Sequence, residues 1–309
     1  MTVCYIPSPS ISQLTLGFIN IKFYALSILA GILIAMWITT KRWKRVGGDF
    51  NQILDLVLVS LPFGIIGARL YHVVTTPEKF FGKNGDFLEI FRIWNGGLGI
   101  WGGIFLGAIA ACVLCKYRKY PIGLLADAAA PAVLIAQGVG RLGNWFNQEL
   151  YGAPTTLPWG LKLNYSASQA IGHSESCYDG LTCPEGTLFH PTFLYEMIWN
   201  FAGAILLIVF GKILTEKLKT GSLFMLYIMW YTAGRVWVEA LRIDFSHVFL
   251  GVRINVWVSI VVFIAAATGF ALLQRSVSTR NLLIERLIDI TSDERERELQ
   301  HSSKKEVRK

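Results

Sequence analysis

Arg141, Asn144, Asn147 and Glu149 fall within GRLGNWFNQELYG, residues 140–152, where a long apolar stretch that begins near Leu124 comes to its end. A guanidinium, two amides and a carboxylate are costly to hold beside hydrocarbon without partners. A second group of the same kind lies far downstream, with Tyr231, Arg235 and Glu239 in YTAGRVWVEALRID. Arg69, His72 and Glu196 also sit inside apolar stretches, and Lys22 and Arg92 near their ends. Two arginines carried by separate helices form a clamp suited to phosphate, because each guanidinium presents a rigid fork of donors.

The elements that must position these groups are membrane spans. Of the 309 residues 53% are hydrophobic and only 16% are charged, against about 25% in ordinary soluble domains. A span needs about 20 mostly apolar residues, and seven such stretches follow: about 15–40, 52–74, 92–115, 123–143, 192–211, 222–241 and 254–274. Each is expected to be a helix, since lipid offers the backbone no partners outside the segment. Met1 to Leu14 has no Lys or Arg and no clear apolar signal region, so the first span is expected to remain as an anchor.

Loop charge sets the orientation. Lys41, Arg42, Lys44 and Arg45 lie between the first two spans, Lys116, Arg118 and Lys119 between the third and fourth, and Lys212, Lys217 and Lys219 between the fifth and sixth. The tail after the seventh span is also rich in Lys and Arg, whereas the opposite loops carry only Lys79, Lys83, Lys162, Arg242 and Arg253. Positive residues collect on the cytoplasmic side. The expected fold is therefore an all-α integral membrane protein of seven transmembrane helices, with the N-terminus outside and the C-terminus cytoplasmic. The net charge of +8 is explained by this topology, and nucleic acid is not needed as a partner. Residues 1–274 form one polytopic membrane domain, in which 145–189 make a small extracytoplasmic head, and 275–309 are a charged cytoplasmic tail. In the tail NLLIERLIDI reads as a short amphipathic segment on the membrane surface, and the remainder as a solvated helix or a disordered end.

On this topology every intramembrane ionisable group falls in the outer half of its span. Arg69 or Arg92 alone fits an arginine snorkelling to headgroups, and Arg235 with Glu239, spaced i,i+4, fits a helix-stabilising pair. Groups at one depth on four spans fit a shared site better. Gly96, Gly97, Gly99, Gly102 and Gly103 in NGGLGIWGGI leave one wall of the third span bare, where helices pack closely or an acyl chain slides past. Cys112 and Cys115 lie in an apolar run, where cysteine acts as a small hydrophobe. Cys177 and Cys183 share one polar loop and would suit a short disulfide in an oxidising compartment.

GRLGNWFNQELYG resembles the signature of the prolipoprotein diacylglyceryl transferases. Further segments agree in order and spacing: FYAL at Tyr24, GARLYH at Arg69, WNGGLGIWGG in the third span, HPTFLYE at 190–196 and YTAGRVWVEALRID. The resemblance covers about residues 15–274. It implies an integral membrane enzyme of the bacterial cytoplasmic membrane with its site toward the outer leaflet. That enzyme moves a diacylglyceryl group from phosphatidylglycerol to the lipobox cysteine of a preprolipoprotein signal peptide and releases glycerol phosphate, with no metal or other cofactor. By matching motif, Arg141, Arg235, Asn144, Glu149 and Tyr24 are the expected catalytic residues, and Arg141, Gly152, Tyr231, Glu239, Arg69 and Trp101 the expected substrate-binding ones. Trp101 is a departure, because many members carry a His there that has been discussed as a base for the thiol. Trp cannot accept a proton. His72 and His190 are the other outer-side candidates, and the positive field of Arg141 and Arg235 is a second route to a thiolate. The competing reading is a transporter of an anionic solute, or a lipid-binding scaffold; the absence of inner-half charges and of paired repeats argues against transport.

Overall fold

In the computed structural model the described residues are all except 1–4, 17–18, 82–84, 165–185, 215–216, 245, 247 and 307–309; for Leu16, Ile19, Asn95 and residues 301–306 only the backbone is described. Cys177 and Cys183 lie outside the described residues, as does the middle of the expected head. The described chain is mostly helical: α1 Phe23–Lys44, α2 Phe50–Thr75, α3 Ile100–Arg118, α4 Ile122–Asn147, α5 Thr192–Ile213, α6 Ser222–Leu241, α7 Ile254–Arg275 and α8 Arg280–Glu306. Helices α1, α2, α3, α4, α5 and α7 are long and apolar enough to cross a membrane. They turn large apolar side chains outward, such as Val113 at 60%, Ile205 at 62% and Val261 at 63% exposure, as lipid requires and water does not tolerate on this scale. The chain is thus a multi-pass membrane protein. Helix α6 has the length, 20 residues, but is less apolar, and it carries Arg235 and Glu239.

The first and third spans start later than the sequence suggests. Residues Gln13–Leu16 (β2) and Ile19–Lys22 (β3) pair as an antiparallel hairpin, because QLTL and INIK alternate with the period of a strand. Before α3, Ile93–Asn95 makes a single 3-10 turn, and Gly96 and Gly97 adopt φ of 88° and 73°, a region open to glycine and closed to a continuing helix. Ile6–Pro7 (β1), Leu161–Lys162 (β4) and Leu188–Phe189 (β5) form a three-stranded sheet in the order β1-β4-β5, and Val248–Phe249 (β6) pairs with Val252–Arg253 (β7).

The chain divides into two compact units, Met1–Ile38 with Ala126–Thr279, and Thr39–Leu125 with Arg280–Lys309. In the first, α5 and α6 are joined by a reciprocal clamp. Trp199 and Trp230 stack with centroids 4.4 Å apart, and each indole N–H donates to the other residue's carbonyl, at 3.0 and 2.9 Å. The rings fit because Gly203 and Gly234 face them; a Cβ at either would meet an indole nitrogen at 2.2 Å. Ala130 and Leu134 of α4, Ala204 and Leu207 of α5, and Leu223 of α6 form the buried core below. The buried Asp127 of α4 accepts from the N–H groups of Gly221 and Phe224, at 2.7 and 3.1 Å, and so satisfies the start of α6, where backbone donors have no helical partner.

In the second unit α2 and α3 approach backbone to backbone. A Cβ on Gly67 would lie 2.3 Å from the Gly102 carbonyl, and one on Gly102 would lie 2.2 Å from that of Gly67. Gly103 faces the Gly64 carbonyl, which a Cβ would meet at 3.2 Å, so Gly102 and Gly103, two of the glycines read as a bare wall, belong to a helix-packing seam. The tail is one helix, and it packs into this unit. Leu287 is fully buried. Gln52 accepts from the Trp43 indole at 2.7 Å and donates to Thr291 and Glu294, at 3.1 and 2.9 Å, while Tyr120 donates to Glu294 at 2.8 Å. Burial, with the Glu294 bond adding to it, holds the Tyr120 phenol above its ordinary value, so it remains a donor at neutral pH.

Two outcomes follow for stability. Gly234→Ala forces the indole stack apart and is expected to cost about 1–3 kcal/mol despite alanine's better helix propensity, read as a lower thermal midpoint in detergent. Glu294→Ala leaves the Tyr120 hydroxyl without its acceptor and takes one of the partners of Gln52, worth about 1–3 kcal/mol; hydrogen exchange should then show residues 280–306 losing protection ahead of α2 and α3.

Candidate active site

The first unit gathers most of the residues expected to act. Arg141 and Asn144 lie three apart on α4, on one helix face, and the Arg141 Nη1 donates to Asn144 Oδ1 at 3.2 Å. Asn144, itself buried, donates through Nδ2 to Glu149 Oε1 at 2.8 Å, and Asn147 Nδ2 reaches the same oxygen at 3.3 Å. Glu149 turns back to meet α4 because its two neighbours are left-handed: Gln148 has φ 51° and Leu150 φ 59°. Such a conformation costs a non-glycine residue about 1–2 kcal/mol. It is held by tertiary bonds, from Gln148 Nε2 to the Pro9 carbonyl at 3.3 Å, from the Asn164 N–H to Gln148 Oε1 at 2.7 Å, and from Thr192 Oγ1 to the Leu150 carbonyl. The Tyr24 ring lies against Gly143, where a Cβ would come within 2.6 Å of it, and within electrostatic reach of Arg141 and Glu149.

The second arginine arrives from α6. Arg235 Nη1 pairs with Glu196 Oε1 of α5 at 2.6 Å, and its Nη2 with Glu239 Oε2 at 2.7 Å. Arg141 Nε pairs with the other oxygen of Glu196. One carboxylate thus joins guanidiniums from two helices, and the clamp read from the sequence exists, closed around Glu196. The Arg235–Glu239 pair is more than a surface i,i+4 contact, for the Glu239 side chain is fully buried and also meets Asn255 Nδ2 at 2.9 Å, Arg253 Nε at 3.1 Å and Arg242 Nη1 at 3.4 Å. Asp244 completes the network, bound by Arg242 at 2.7 and 2.8 Å and by Arg253 at 3.1 Å. Breaking one partner of such buried pairs costs about 3–5 kcal/mol, because a charge is left unmatched. The network fixes geometry first and stability second.

Gly152 contributes by absence of a side chain. Its N–H donates to the His190 carbonyl at 2.9 Å, and a Cβ there would lie 2.8 Å from both the His190 Cβ and the Leu241 carbonyl. This close crossing brings the turn after α4 against the start of α5 and the end of α6. Tyr231 stacks on Tyr227 at 6.4 Å one turn before Arg235. His190 Nδ1 lies 3.1 Å from the Tyr195 hydroxyl.

Arg69 and Trp101 belong to the second unit. The buried Arg69 donates from Nε to the Ile90 carbonyl at 2.9 Å, from Nη1 to those of Gly96 and Gly97 at 2.6 and 3.0 Å, and from Nη2 to that of Glu89. Its guanidinium also lies 5.2 Å from the centre of the Phe80 ring. Nearly all its donors are committed to the segment that leads into α3. Trp101 stands in the first turn of α3, 46% exposed. His72 contacts Thr76 Oγ1 and meets Phe80 edge-on.

Glu196 is counted by the sequence among the intramembrane charges that fit a shared site, but is given no role there; the structure places it between the two arginines. Arg242, Asp244 and Arg253 read as loop charges, and nothing local in the sequence distinguishes them. Every guanidinium of the network meets a carboxylate, so the field expected from a bare pair of arginines is offset. Among the described residues no group of three or more His, Cys, Asp or Glu is placed to hold a metal ion.

Comparison with known proteins bears on what this cluster serves. A model of the prolipoprotein diacylglyceryl transferases matches residues 11–272. The phosphatidylglycerol–prolipoprotein diacylglyceryl transferase of Bifidobacterium adolescentis is 64% identical over 294 residues, which is 95% of this chain and 87% of the relative. Its namesake from Bifidobacterium longum is 51% identical over 300 residues, 96% and 95% of the two chains. That of Corynebacterium glutamicum is 46% identical over 279 residues, 90% and 87%. With the family's model spanning all but the ends of the sequence, this chain belongs to the prolipoprotein diacylglyceryl transferase family.

Proposed function

We propose that this protein transfers the diacylglyceryl group of phosphatidylglycerol to the lipobox cysteine thiol of a preprolipoprotein, forming a thioether and releasing glycerol phosphate, the first step of bacterial lipoprotein maturation. The observation that carries the reading is the convergence of Arg141 and Arg235, on α4 and α6, upon one carboxylate within a multi-pass membrane chain of this family.

In the reaction the cysteine thiol gives up its proton, which ends in water or on the released glycerol phosphate, and the thiolate, the nucleophilic form, attacks the terminal glyceryl carbon. The bond from that carbon to the phosphate oxygen breaks, and glycerol phosphate leaves with the bonding pair. Arg141 and Arg235 stabilise the charge that builds on the departing phosphate from positions fixed in advance. Asn144 and Glu149 orient Arg141, and Glu239 orients Arg235. Tyr24 borders the Arg141 side of the cluster and Tyr231 the Arg235 side. Gly152 keeps the crossing chains close enough for the two sides to meet. Arg69, as the clamp of the segment before α3, and Trp101, in the first turn of that helix, serve lipid contacts made by the second unit. No metal or organic cofactor enters this scheme.

The topology belongs to the same reading. Helix α6 is the seventh span, its low hydropathy offset by the pairing of Arg235 and Glu239. The distribution of Lys and Arg among the loops supports an N-terminus outside and a cytoplasmic C-terminus, in the bacterial cytoplasmic membrane, with the site toward the outer leaflet. Residues 1–274 are the catalytic membrane domain, and 275–309 the cytoplasmic tail.

Reconstituted with phosphatidylglycerol and a lipobox peptide, the protein is expected to release glycerol phosphate and to add a diacylglyceryl mass to the peptide. Arg141→Ala and Arg235→Ala should each lower turnover by about 10²-fold or more, and Arg141→Lys should not restore it, since lysine lacks the fork. Full turnover after both arginines are neutralised would refute the assignment. Asn144→Ala frees Arg141 and Glu149 together and is expected to slow turnover by about 10²-fold in protein that elutes as the wild type does.

A further inference from the structure

Glu196 is held unlike the other carboxylates of the cluster. Glu239 is bound by Arg235, Arg242, Arg253 and Asn255 and is fully buried. Asp244 is bound by Arg242 and Arg253. Glu149 takes its hydrogen bonds from the uncharged amides of Asn144 and Asn147. Among the described residues the Glu196 carboxylate pairs with Arg141 and Arg235 alone. These are the two guanidiniums assigned to the phosphate, and their side chains keep 19% and 17% exposure. An anion of the protein already occupies the position between them that a phosphate needs.

A phosphodiester entering this position cannot simply join Glu196, because two anions against the same donors repel. It must take those donors over. We infer that Glu196 is a resident competitor for the phosphate: it holds both guanidiniums in place while the site is empty, yields them to the lipid headgroup, and takes them back as glycerol phosphate leaves. The inference rests on the function proposed above. It gives product release a physical basis. The donor headgroup is a phosphodiester with one negative charge, whereas the product is a phosphate monoester that approaches two. A pair of arginines without a competitor would hold the product more tightly than the donor, and release would then limit turnover. Glu196 is on this account a positioning residue that also sets the balance between donor and product.

Glu196→Gln removes the charge and keeps the size. In the purified full chain, titration calorimetry with glycerol phosphate is expected to show about tenfold tighter binding, or ~1.4 kcal/mol. In turnover with phosphatidylglycerol and a lipobox peptide, KM for the lipid and kcat should both fall, with a burst of product in the first turnover. A purely structural Glu196 predicts the reverse, weaker phosphate binding from arginines that have lost their holder, and unchanged or weaker binding in folded Glu196→Gln overturns the inference. Should that variant not yield monodisperse protein, the wild type decides: with carbon-13-labelled glutamate, glycerol phosphate should shift a carboxylate stretching band in the infrared difference spectrum, and no shift overturns the exchange. Calorimetry and infrared need no turnover, so a wild type that binds glycerol phosphate but never releases it from phosphatidylglycerol counts against the function and not against the exchange.

Discussion

The first unit is organised around a single carboxylate that joins Arg141 of α4 to Arg235 of α6 through Glu196 of α5. Three helices that could otherwise slide in lipid are tied at one depth by charge. The remaining features of the unit make that tie feasible. The Trp199–Trp230 clamp fixes α5 against α6 a turn or so from Glu196 and Arg235, Asp127 anchors the start of α6 to α4, and Gly152 lets the connecting chains cross without a side chain between them. Charges in an apolar setting are tolerable only when matched, and here Arg141, Arg235, Arg242 and Arg253 meet three carboxylates, Glu196, Glu239 and Asp244, in a continuous series.

Much of this was legible in the sequence. The spans could be read because length and apolarity are strong signals in a membrane protein, and α5, α6 and α7 begin where apolar runs begin. Arg141, Asn144, Glu149, Arg235 and Glu239 stood out because a polar group in an apolar run must have a reason to be there. What the sequence could not give was pairing. Nothing in HPTFLYE says that Glu196 reaches two arginines on other helices, and nothing in the 242–253 segment says that Arg242 and Arg253 brace Glu239. The early edges of two spans were misplaced for local reasons, a strand alternation before α1 and glycines with positive φ before α3. The Arg69 result is of the same type. Sequence identified it as unusual, and the structure shows that its donors go to backbone carbonyls.

The two units answer different demands. In the second, glycines of α2 and α3 give close packing with little side-chain chemistry, and a buried polar node of Gln52, Tyr120 and Glu294 fastens the C-terminal helix. The family's model ends at residue 272, so Thr291 and Glu294, the tail's side of this fastening, lie past the stretch that the model matches. The tail is helical and packs into this unit through Leu287, Thr291 and Glu294, while residues 295–300 are exposed, as a solvated helix would be.

The turn that carries Glu149 has a bearing on biogenesis. Gln148 and Leu150 hold left-handed backbone that neither would keep unaided, and the bonds that impose it come from Pro9, Asn164 and Thr192, segments far apart in the chain. While the polypeptide is still threading into the bilayer, the fourth helix is made before α5 exists, and its carboxylate has no reason to fold back toward Asn144. Competence therefore arrives late and all together, once the amino-terminal strand and the segment leading into α5 have both docked. A half-inserted chain would carry Arg141 without its full set of partners.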